Sequence, residues 1–289
     1  MLHNPRARAV LAALTGAALI GLAPIGIRLS ELGPQATNFW RFAFALPILA
    51  LWGLGRPAPS KRDLAWLMLA GVLFGLELSL WAAALGLTTI ANATLLANMT
   101  PVFAALFAWV LFKEQLKPLA LAGGAVALVG AVTLTLARVR AGQGHVEQGW
   151  LGDALGFSAA FGYAGYLLIV RALGARVGVG AIMLWASLAA MVFTFCLSAA
   201  IEDALLPRTW RGWAIVVGLG LIVQAGGQGL IAYGVARLPI IVSTVLLWMQ
   251  PLAAAGLSWA LFGEALGPMA LAGAALVLGG IYFVQRTRQ

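Results

Sequence analysis

The sequence predicts an all-α membrane protein: ten transmembrane helices arranged as two inverted five-helix repeats. Three observations carry this expectation. Of the 289 residues, 62% are hydrophobic and only 9% charged, against roughly 45–50% apolar and about 25% charged in an ordinary soluble domain, so a soluble fold is excluded. Several stretches stay apolar for the roughly 18 or more residues that a helix needs to cross ~30 Å of hydrocarbon. The third observation is an internal repeat, because residues 92–134 lie over residues 242–284 at a constant offset of 150 with no gap. Pro101 meets Pro251, Trp109 meets Trp259, Phe112 meets Phe262, Glu114 meets Glu264, Pro118 meets Pro268, and LALAGGAVALVG meets MALAGAALVLGG. Each half, residues 1–140 and 141–289, holds an odd number of spans. The second copy therefore enters the membrane from the opposite side.

Apolar runs broken by proline, glycine and charge place the spans at 9–29, 36–54, 63–85, 88–111, 117–137, 150–172, 178–200, 211–234, 239–261 and 268–285. Lipid offers backbone groups no partner, so an open β structure is excluded and the run lengths decide for helices. Arg6 and Arg8 ahead of the first run imitate a signal peptide, but the run is long and lacks a clear small-residue cleavage site, so it is kept as the first span. In the third span Gly71 and Gly75 form a small-xxx-small pair suited to close helix packing. Pro101 and Pro251 fall inside the fourth and ninth spans, where each kinks its helix and frees the carbonyl four residues earlier, at Ala97 and Leu247.

With the N-terminus in the cytoplasm, Arg6, Arg8, Arg56, Lys61, Arg62, Lys113, Lys117, Arg171, Arg176, Arg237, Arg286 and Arg288 lie inside, and Arg28, Arg41, Arg138, Arg140, Arg208 and Arg211 outside. That distribution puts both termini in the cytoplasm. The formal charge of +9 thus resides in short connections and marks orientation, not nucleic-acid binding. Trp40, Trp52, Trp66, Trp109, Trp150 and Trp210 fall near span ends, as interfacial anchors do. Cys196 is the single cysteine, so no intrachain disulfide and no cysteine metal cluster is expected. His3 and His145 lie outside the spans, which leaves no histidine relay and no metal site within them. No GxxxxGK[ST] loop is present, so movement of a substrate draws on a gradient, a coupled ion or exchange. No cofactor is called for, and a monomer is compatible with the sequence.

The residues beside the two prolines, Asn98 and Thr100, and Trp248 and Gln250, fall at mid-membrane in pseudo-symmetric positions, where inverted-repeat transporters bind substrate. Glu77 is an acidic residue deep in a span, at a cost of about 2.5–3.5 kcal/mol on insertion scales, and is a functional candidate by default. It offers a carboxyl to a substrate ammonium group or to a proton. Trp81, four residues on, shares its helical face. Gln224 and Gln228 share a face of the eighth span, and an amide both donates and accepts, as gripping a zwitterion requires. Either glutamine alone is more often interhelical glue. Tyr163 and Tyr166 extend an aromatic lining, with Asn92 and Ser243 as lesser candidates.

The run WVLFKEQLKPLALAGGAVALVG and its second copy WALFGEALGPMALAGAALVLGG resemble the EamA repeat of the drug/metabolite transporter superfamily, and the likeness spans essentially the whole chain. The resemblance implies ten helices, inverted repeats, a central cavity, an inner-membrane location and export of amino acids or other small metabolites by alternating access. Overall similarity is greatest to the YddG-type exporters of aromatic and other amino acids. The alternative within transport is a permease for another metabolite or for a cationic drug paired with Glu77. An intramembrane enzyme would need convergent His, Asp, Ser or Cys groups, where the spans offer one isolated carboxyl.

Overall fold

The computed structural model describes residues 4–53, 58–87, 96–113, 117–139, 149–262 and 267–286. These residues are helical, with no strand among them. The helices are α1 (Pro5–Ile20), α2 (Ala23–Leu29), α3 (Pro34–Gly53), α4 (Lys61–Leu87), α5 (Thr100–Phe112), α6 (Pro118–Val139), α7 (Gly149–Leu173), α8 (Val179–Ile201) and α9 (Trp210–Gly218). A π-helix, π1 (Leu219–Gln228), then leads into α10 (Gly229–Val235), α11 (Ile240–Leu246), α12 (Met249–Phe262) and α13 (Pro268–Arg286). Five stretches are long and apolar enough to cross a membrane: Pro5–Ile27, Lys61–Ala84, Gly149–Leu173, Val179–Ile201 and Trp210–Val235. Shorter apolar helices occupy Thr100–Leu111, Pro118–Thr133, Ile240–Ala254 and Pro268–Val284. Asn92, Glu114, Glu264, both histidines, Arg56, Arg140 and Arg288 lie outside the described residues.

Local chemistry sets several helix ends. Pro5 begins α1, and the Asn4 side chain accepts from the Arg6 amide at 2.9 Å. Ahead of α4, the Ser60 hydroxyl accepts from the Asp63 amide and donates to the Asp63 carboxylate. Arg176 pairs with that carboxylate across the fold. Lys113 closes α5 in the left-handed conformation, φ 52°. The helix breaks lie where the prolines place them. Thr100 Oγ1 donates to the freed Ala97 carbonyl at 2.9 Å, and the Gln250 amide donates to the freed Leu247 carbonyl at 2.9 Å.

Glycine governs how closely the helices approach. A Cβ on Gly123 would strike the Gly280 carbonyl, and one on Gly130 would strike the Gly273 carbonyl, so α6 and α13 run antiparallel in direct backbone contact. The same closeness joins α1 to π1, where a Cβ on Gly16 would lie 2.5 Å from the Gly227 carbonyl oxygen. Gly71 and Gly75 seat α4 on α8 against Ala186 and Phe193, and Gly162 seats α7 on α4 beside Leu73 and Glu77. Without a hydrophobic force in lipid, such contacts supply the dispersion energy that holds helices together.

Two carboxylates tie the halves at one end. Glu202, following α8, accepts from the Gln35 and Ala36 amides at 2.8 and 2.7 Å, satisfying the first turn of α3. Glu31, ahead of α3, accepts from the Arg208 and Thr209 amides and from the Thr209 hydroxyl at the start of α9. Beside them Trp40 packs with Phe44 and Trp213 and donates to the Leu205 carbonyl at 2.7 Å. Trp40 is therefore a tie between halves, not the free interfacial anchor its position suggests. Trp150 and Trp210, at 76% and 82% exposed, keep the anchor's geometry.

Candidate functional site

Arg41 corrects the sequence reading. Counted above among the outside charges, it lies two turns into α3 and is 3% exposed, which leaves five basic residues rather than six for the outside. Burying a guanidinium at the centre of a bilayer costs about 2.5–3.5 kcal/mol on insertion scales. The surroundings offset that cost: Arg41 Nε donates to Gln224 Oε1 at 3.1 Å, and Gln224 Nε2 donates to Ser187 Oγ at 3.1 Å. The guanidinium carbon sits 6.0 Å from the ring centres of Phe42 and Phe74. Glu77 on α4 is within electrostatic reach of it, so the carboxyl expected to be isolated is not electrostatically alone.

Tyr163 and Tyr166 stack parallel on α7, and Phe74 stacks on both, 5.9 and 4.7 Å between ring centres. Gln228 Nε2 donates to both phenol oxygens at 3.3 Å, and the Tyr166 hydroxyl reaches Met183 Sδ at 3.6 Å. Gln224 and Gln228 both belong to π1, whose wider turns bring both amides inward at spacing i, i+4. Of the predicted residues the structure thus joins Glu77, Tyr163, Tyr166, Gln224 and Gln228 in one layer between helices of both halves. Missing from the expectation were Arg41, Asn38 and Ser187. Arg41 had a legible signal, a lone cation within the span 36–54 itself.

The proline-flanking residues form a second group. Trp248 is buried, and its Nε1 donates to the Asn98 carbonyl at 3.1 Å, joining positions 150 apart in the chain. The Thr100 hydroxyl is engaged by its own helix break, and the Ser243 hydroxyl by the Pro239 carbonyl. Gln250 and Trp81 are half-buried. Among the described residues no cluster of His, Cys, Asp and Glu is arranged to hold a metal ion.

A buried layer of charge, amide and phenol between apolar helices suits reversible binding of a polar solute. The EamA-like transporter family model matches residues 7–136 and 150–286. The chain belongs to this family. It is accordingly a multi-pass membrane transporter and not an enzyme. A probable terminal-alkyne amino-acid exporter of Streptantibioticus cattleyicolor is 29% identical over 269 residues, 91% of this chain and 87% of the relative. An uncharacterized transporter of Archaeoglobus fulgidus is 38% identical over 116 residues, 38% of this chain and 39% of its own length. A solved crystal structure shares the fold with a TM-score of 0.82 at 23% identity, covering 96% of this chain and 97% of its own.

Proposed function

We propose that this EamA-like protein is a secondary transporter that exports small organic metabolites, amino acids foremost, by alternating access. The observation that carries the proposal is the buried layer of Arg41, Glu77, Tyr163, Tyr166, Gln224 and Gln228, which offers a guanidinium, a carboxyl, amides and phenols to one solute between the halves. The amino-acid exporter among its relatives supports the substrate class. Trp81, Asn98, Thr100, Trp248 and Gln250 extend the site toward the kinked helices at Pro101 and Pro251. Ten crossings in two inverted halves, residues 1–140 and 141–289, are supported by the antiparallel contacts of Gly123 with Gly280 and Gly130 with Gly273, which are reciprocal under the offset of 150. We place it in a bacterial inner membrane with both termini cytoplasmic.

Purified protein in liposomes tests this with labelled aromatic and aliphatic amino acids, with and without a proton gradient. Saturable uptake with counterflow is the expected result. Equal behaviour of empty liposomes for every amino acid would refute the substrate assignment. The alternative, a permease for cationic drugs, is disfavoured by Arg41, which repels a cation held at Glu77.

A further inference from the structure

We infer that the layer is a zwitterion site in which Arg41 takes the substrate carboxylate while Glu77 and the Asn38 carbonyl oxygen take its ammonium group. The inference rests on the transport reading above and narrows it to molecules carrying both charges.

Asn38 supplies the independent observation. It is 1% exposed, and its Oδ1 has no hydrogen-bond partner among the described residues. Buried acceptors are rarely left so. It lies three residues before Arg41, hence on a neighbouring part of the same face of α3. Its depth follows from the packing of α3 on antiparallel α4: Gln35 accepts from Ser79, and Phe42 meets Phe74 edge-on. Between those contacts Asn38 falls level with residues 76–78, the depth of Glu77.

The chemistry of the groups is divided by sign. An amide oxygen and a carboxylate accept, and so complement an ammonium group; a guanidinium only donates, and its fork matches a carboxylate. The chain Ser187, Gln224, Arg41 fixes the guanidinium in place before any substrate arrives. A zwitterion gives Arg41 and Glu77 each a partner of opposite sign and leaves the net charge of the layer unchanged. A simple amine or a simple acid leaves one buried charge unpaired, which is costly. The stacked Phe74, Tyr163 and Tyr166 then face the substrate's side chain.

The test is competition against labelled phenylalanine and, separately, labelled leucine in counterflow by the reconstituted protein. The competitors are the unlabelled amino acid, its amide, its decarboxylated amine and its deaminated acid. The wild type is expected to prefer the amino acid at least tenfold over all three. Arg41→Gln is expected to narrow the gap to the amide to about twofold, and Asn38→Leu to narrow the gap to the deaminated acid. Arg41→Gln combined with Glu77→Gln removes both charges together and keeps the test open where a single charge removal prevents folding; it should lose both preferences. Amino acids transported with no preference over amide and amine, or a preference unchanged in the Arg41 variants, overturn the zwitterion site alone. Wild-type protein that moves neither amino acid overturns both this inference and the transport reading beneath it.

Discussion

Gln228 shows how much one buried side chain carries. Its amide serves the hydroxyls of Tyr163 and Tyr166 together, so Gln228→Leu takes the amide partner from two phenols and leaves Tyr166 only the sulfur of Met183. Loss of about 1–3 kcal/mol is expected on denaturant unfolding, against about 1 kcal/mol for Tyr166→Phe, which leaves less unsatisfied. A double-mutant cycle of the two should return a coupling of about 0.5–3 kcal/mol, and strict additivity would show that the bond contributes nothing. At this scale the sequence was half legible. The glutamines and tyrosines announced themselves as polar groups within apolar runs. Arg41 was equally legible as a lone cation within the span 36–54, but a cation near the start of a span is easily read as a loop charge, and the packing of α3 against α4 and π1 shows it carried into the interior. The hydroxyl of Thr100 reads as a ligand group in the sequence, and in the structure it bonds the carbonyl that Pro101 releases.

Helix contacts yield sharper contrasts between neighbours in the chain. Gly280 and Gly279 are adjacent on α13, yet a Cβ on Gly280 would lie 2.5 Å from Ala127 and from the Gly123 carbonyl, while one on Gly279 meets nothing within 4 Å. Gly280→Ala should therefore destabilise by about 1–3 kcal/mol through overpacking. Gly279→Ala should stabilise by about 0.5–1 kcal/mol, the ordinary gain of alanine in a helix. Melting temperatures of the two variants, moving in opposite directions, check this. The carboxylate ties make a pH prediction. The Thr209 hydroxyl first, then the Arg208 amide, hold the Glu31 carboxyl below its ordinary pKa. A lowered folded pKa means that stabilisation is present above the unfolded value of 4.5 and is lost as pH falls through the folded one. Glu31→Gln should thus be less stable than wild type at neutral pH, with the difference closing in acid. Helix positions were legible from apolar run length, and both breaks from proline. The π-helix was not, since an i→i+5 ladder leaves no periodicity distinguishable from α over ten residues.

For the whole molecule, the proposed ten crossings put Ser60 and Asp203 on opposite sides of the membrane. In a Cys196→Ala background, Asp203→Cys should react with an impermeant maleimide in intact cells and Ser60→Cys only after permeabilisation; labelling of both in intact cells would refute the topology. The duplication behind it was legible from paired prolines, tryptophans and glycines. The inequality of the two copies was not, because it is a matter of which side chains have been retained. Arg41 and Glu77 come from the first half of the chain and Tyr163, Tyr166, Gln224 and Gln228 from the second, so the two copies give unlike side chains to the buried layer. Where α1 meets π1, Gly16 and Gly227 bring the two backbones into contact and leave no space between them for a solute. Among the described residues the buried layer of charge, amide and phenol therefore occurs once. The consequence is valency: a chain built twice over carries a single cargo, and calorimetric titration should saturate at one molecule bound per polypeptide.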